Sequence, residues 1–106
     1  MTTTLDPDSA IGSLERFWEL PHGYFFRLRQ GDYDPYGANE VEEIIRSIKV
    51  SEDTPIPRRL VSLIWIIPTF MEWQIDRVAE VGGDVGTLRG DITRLRSAVE
   101  DFLGVP

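Results

Sequence analysis

His22 is the one imidazole of this 106-residue chain, and cysteine is absent. A Ser-His-Asp triad could be built only around His22, an enzyme site would bring His22, Arg27 or Arg29 and an acid together in a pocket, and no thiolate could take part. Its neighbours Pro21 and Gly23 are those of a turn, so the expectation is a structural or exposed histidine and no catalytic residue. One imidazole without cysteine also leaves no zinc ligand set.

Carboxylates gather as Asp32 and Asp34 and again as Glu40, Glu42 and Glu43. Oxygen groups of this kind can hold calcium, and a count from Asp32 puts Asp34 at position three, Gly37 at six and Glu43 at twelve of a calcium loop. Tyr36 at position five and Pro35 at position four break the pattern, so no metal and no cofactor is expected. Arg27 with Arg29, and Arg58 with Arg59, could each grip a carboxylate or phosphate, though most such pairs bridge neighbouring acids at a surface. The stretch Gly82–Gly86, GGDVG, matches neither phosphate-loop pattern and follows a helix rather than a strand.

The remaining chemistry is recognition. Tyr33, Asp34, Pro35 and Tyr36 lead into Glu40, Glu42 and Glu43, combining aromatic contact area with negative charge. Net charge is −7, and it is uneven: residues 1–53 hold 11 acids against 5 bases, residues 54–106 hold 7 against 6. Such a field repels nucleic acid and anionic membranes and draws basic partners inward. The plainer reading of the same residues is two tyrosines covering the core edge and a solvated acidic helix face.

These groups need elements to carry them. Asp6 and Pro7 have the chemistry of a helix start, Ala10, Ile11, Leu14, Phe17 and Trp18 recur at helical spacing, and Pro21 ends that helix near Glu19. Tyr24 to Leu28 alternates like a strand yet also shares a helix face; lacking any second strand to pair with, it reads as a short helix over 21–31. A third helix starts at Asp34 or at Asn39 and faces Val41, Ile44, Ile45 and Ile48 inward. A polar linker covers Ser51 to Pro57, with Thr54 as the next cap.

Leu60 to Met71, LVSLIWIIPTFM, is apolar on every side, and this predicts a buried central helix from about Ile56 to Val81, kinked at Pro68. At twelve residues the run is too short to span a bilayer. Gly82 and Gly83 stop it. The last helix opens near Asp84 and sets Val85, Leu88, Ile92, Leu95, Val99 and Phe102 at steps of three and four, a seam that packs back on the central helix. Gly86 and Gly90 lie four apart there and could admit a close backbone.

The expected fold is all-α: one domain over residues 1–106, a compact bundle of about five helices around a central, Pro-kinked hydrophobic helix, with residues 1–5 a flexible tail. Without cysteine or a basic, apolar leader, the expected compartment is the cytoplasm. The expected function is a small acidic module that neutralises or regulates a basic protein partner through Tyr33, Asp34, Tyr36, Glu40, Glu42 and Glu43. Bacterial immunity proteins and antitoxins share this size and charge. The alternative is a structural or regulatory subunit that forms a homodimer through the C-terminal seam or through aromatic surface around Trp18 and Trp73. Neither reading involves catalysis.

Overall fold

Asp6 opens the first helix as its chemistry dictates: its carboxylate accepts the Ser9 N–H at 2.8 Å while Pro7, with no N–H to satisfy, takes the first turn. In the computed structural model, which describes residues 4–106, α1 (Pro7–Glu19) is followed by α2 (Tyr24–Leu28), α3 (Gly37–Ser47), α4 (Arg58–Trp65), α5 (Ile67–Trp73), α6 (Ile75–Glu80) and α7 (Val85–Leu103). The fold is a compact all-α bundle, and the segments α4 to α6 form the expected central helical run in three pieces. Among the described residues no helix is long and apolar enough to cross a membrane.

The bodies make a ring. Helix α1 packs on α3 and α4, and α7 packs on α3 and on all three pieces of the central run, so α3 and the run stand at opposite corners. Helix α2 plugs the ring from the α1 side. Its Phe25 is fully buried, stacked on Trp18 at 4.2 Å and met edge-on by Phe17, Tyr24 and Phe70. Burying one such ring stabilises the fold by about 3 kcal/mol, and the edge contacts add to it.

The central run is cut at Ile66, two residues before Pro68, because the proline sits in the first turn of α5, where its missing N–H costs nothing. A second cut at Gln74 is not foreshadowed by residue type; its side-chain amide donates to the Phe70 carbonyl instead. Both cut residues keep right-handed dihedrals (φ −79°, ψ −15° and φ −92°, ψ −4°), so the chain goes on winding in the same sense. The expectation of burial all round is corrected here. Leu60, Ile64, Ile67 and Met71 are fully buried, but Trp65 is 55% exposed and Trp73 66%.

Several boundaries move. Leu5 is not loose: its N–H donates to the Ser47 carbonyl at 2.8 Å and its own carbonyl accepts from Lys49 N–H at 3.0 Å, pairing it with Ile48; Met1 to Thr3 lie outside the described residues. Helix α2 starts at Tyr24 rather than Pro21, and α3 starts at Gly37, between the two expected caps. Thr54 pairs with the Ser51 hydroxyl instead of capping α4, which begins bare at Arg58. On α7 the seam is as expected, with Leu88, Ile92, Leu95 and Val99 buried, and Asp84 caps the Thr87 N–H at 3.0 Å. Among the described residues no backbone from another element approaches Gly86 or Gly90, so the close-approach reading of that pair fails.

Two glycines test this packing in opposite directions. A Cβ on Gly23 would lie 2.4 Å from the Arg16 carbonyl oxygen and 2.6 Å from that of Phe17, so Gly23→Ala is expected to cost about 3 kcal/mol of stability. Gly90, inside α7 with open space around it, should gain about 0.5–1 kcal/mol on Gly90→Ala. Urea unfolding of the two variants checks the signs.

Candidate functional site

The acidic loop takes its shape from Gly31, whose φ of 84° turns the chain out of α2. Arg27, at the end of α2, then gathers the loop: its guanidinium donates to Asp32 at 2.9 Å and to Asp34 at 3.4 Å. This hydrogen bond raises the Arg27 pKa and lowers that of Asp32. The other oxygen of Asp34 accepts the Tyr36 N–H at 2.9 Å, tightening the turn that feeds α3.

Tyr33 points inward. Its hydroxyl donates to Asp91, a carboxylate of α7 that is only 3% exposed. Arg94 donates to the second oxygen of Asp91 at 2.6 Å, and its other terminal nitrogen, Nη1, reaches Asn39 at 2.7 Å and Glu42 at 3.1 Å on α3. Glu42 in turn accepts from Arg46 at 3.0 Å, and Arg46 continues to Asp101 at 3.0 Å. One chain of charge-assisted bonds thus ties the loop, α3 and α7 together. Burial first, and then the bond to Asp91, push the Tyr33 hydroxyl well above the ordinary tyrosine range; the separate hydrogen bond that Arg94 makes to Asp91 raises the arginine. Tyr24 lies nearby with its hydroxyl buried and unpartnered, raised chiefly by burial and next by the Asp91 charge.

The six residues expected to meet a partner therefore divide. Tyr33, Asp34 and Glu42 are engaged within the fold. Tyr36 is 75% exposed, and Glu40 and Glu43 are exposed with no ion pair among the described residues. At steps of four and three, Tyr36, Glu40 and Glu43 form one outward stripe from the head of α3. Beside it, between α1 and α3, lies a cleft of about 450 Å³ whose lining includes Arg16, Phe17, Leu20, His22, Glu40 and Ile44. Phe17 comes from α1 and Leu20 from just past the end of that helix, and Glu40 and Ile44 come from α3.

His22 reaches this cleft from the α1–α2 turn, but Arg27 is bound to its two aspartates and Arg29 lies over the Phe70 ring at 5.6 Å. The imidazole and the two arginines thus do not converge. Asp32 and Asp34 face Arg27 rather than each other's ligand sphere, and among the described residues no group of three acid or imidazole side chains gathers as a cation site. Sequence reasoning missed Asp91 and Arg94. The signal was there: Asp91 falls on the buried α7 face between Leu88 and Leu95, where a carboxylate needs partners.

Compared with protein-family models, with curated proteins and with solved structures, the chain matches none. Its functional reading therefore rests on this geometry.

The network predicts contrasting effects for two tyrosines. Tyr33→Phe strips a buried carboxylate of a donor and should cost about 2 kcal/mol, whereas Tyr24→Phe removes an unpartnered hydroxyl and should be neutral or stabilising. Both folded values are raised, so the fold favours neutral tyrosine; that contribution is complete below about pH 10 and lost as pH climbs toward the folded values. Denaturation followed into alkaline solution should show stability falling, less steeply in Tyr33→Phe.

Proposed function

We propose that this chain is a non-catalytic, acidic binding module of the cytoplasm that occludes the working surface of a basic protein, as immunity proteins and antitoxins do. The observation that carries the reading is the α3 stripe: Tyr36, 75% exposed, in line with Glu40 and Glu43, two acids with no cation of their own among the described residues. Arg27, Arg46, Arg59, Arg94 and Arg96 each hold at least one carboxylate elsewhere, while other exposed acids such as Asp76 and Glu80 stay unpaired among the described residues; what marks the stripe is the exposed ring standing in line with its acids. Charge left uncompensated beside an exposed aromatic ring suits a partner that supplies the cations and takes the ring as an anchor.

The adjoining cleft adds apolar wall from Phe17, Leu20 and Ile44, room for one large side chain of the partner. A net charge of −7 speeds the encounter with a basic surface and weighs against nucleic acid. Asp34 and Glu42 contribute to that field although their near contacts are internal, and Tyr33 holds the loop that presents Tyr36.

Capture from host extract on the wild-type chain and on a Tyr36→Ala, Glu40→Lys, Glu43→Lys variant tests this. A basic protein should be retained by the wild type and held about 30-fold more weakly by the variant, as expected for loss of an aromatic anchor worth about 2 kcal/mol. Retention should also weaken as salt rises. If the variant keeps its circular dichroism and captures the same proteins at the same yield, the reading fails.

A further inference from the structure

Among the described residues nothing packs on the outward face of the α4–α6 run, and its side chains carry a symmetry of their own. At helical steps it presents Arg58, Trp65, Thr69, Trp73 and Glu80, all exposed except the half-buried Thr69. The two tryptophans each lie four residues from Thr69, and Arg58 and Glu80 each lie eleven. Because the cuts at Ile66 and Gln74 keep right-handed dihedrals, these residues stay on one stripe. Arg58 and Glu80 have no ion-pair partner among the described residues.

We propose that a second copy of this chain docks on this face, antiparallel, about a two-fold axis at Thr69. Rotation about that point lays Trp65 on Trp73 of the partner subunit and Arg58 on Glu80 of the partner subunit, and repeats both contacts across the axis, as an isologous interface must. A face that is basic at its start and acidic at its end is complementary to itself in this orientation only; a parallel copy would oppose like charges. Antiparallel docking also opposes the helix dipoles favourably. It explains why indoles 55% and 66% exposed stand on a chain whose other tryptophan is turned into the core. Four partly exposed indoles and their flanks would make a contact near the low end of specific interfaces, about 1,200 Å² in total. The face lies across the ring from the α3 stripe and does not depend on its reading.

Sedimentation equilibrium of the full chain from micromolar to millimolar concentration, with tryptophan emission followed in parallel, tests the proposal. The wild type should dimerise with a blue shift, and W65E/W73E should stay monomeric with unchanged helical dichroism. R58E should weaken the dimer about fivefold by opposing like charges, and R58E/E80R should restore it; this surface pair carries the test if the tryptophan variant does not fold. A wild type monomeric throughout, a dimer indifferent to W65E/W73E, or a charge swap that restores nothing overturns it. So does a monomer whose emission shifts only on adding neutral lipid vesicles, which would assign the face to a membrane surface.

Discussion

A carboxylate sealed inside a helical bundle must be met by donors, and much of the polar architecture of this protein follows from meeting Asp91. Buried at 3% exposure on the inner face of α7, it would cost several kcal/mol if left alone. Tyr33 comes in from the loop and Arg94 from the next turn of its own helix. Each partner then has obligations. Arg94 has donors to spare and reaches across to Asn39 and Glu42, fixing α3 against α7; Tyr33, drawn inward, forces the loop residues after it outward, and Tyr36 is left in solvent. The exposed ring and the buried acid are two ends of one arrangement.

Charge is distributed to match. Several arginine–carboxylate pairs join segments far apart in sequence: Arg59 to Glu15 and Glu19, Arg96 to Glu72, Arg46 to Asp101. Pairs as exposed as these add little stability singly, at most about 1 kcal/mol each, so their effect is to decide which charges remain uncompensated rather than to hold the fold. The fold itself is held by the apolar interior around Phe25 and the α7 seam.

The sequence was most legible where a single residue settles a local geometry. Asp6 with Pro7, Asp84 before α7, and the steps of three and four from Leu88 to Val99 map directly onto observed elements. It was least legible where the answer depends on a distant segment. Nothing near Trp65 says that its side of the central run stays uncovered, because that is decided by where α1 and α7 sit. Likewise Glu42 and Glu43 look alike in sequence, and only the position of Arg94 and Arg46 separates an internal acid from an external one. The tyrosines divide for the same reason: the side chain of Tyr33 has Asp91 beneath it and that of Tyr36 has nothing.

The ring order of the helices bears on how the chain reaches its native state during synthesis. The most extensive packing joins elements that are not consecutive in sequence: α1 waits for α4, and α3 finds its main support only in α7. Until that final helix has emerged, the inner faces of α3 and of the central run lie open and Asp91 is not yet there to draw in the tyrosine. The bundle therefore closes only when α7 docks, and α3 and the central run gain their shared wall in that one step.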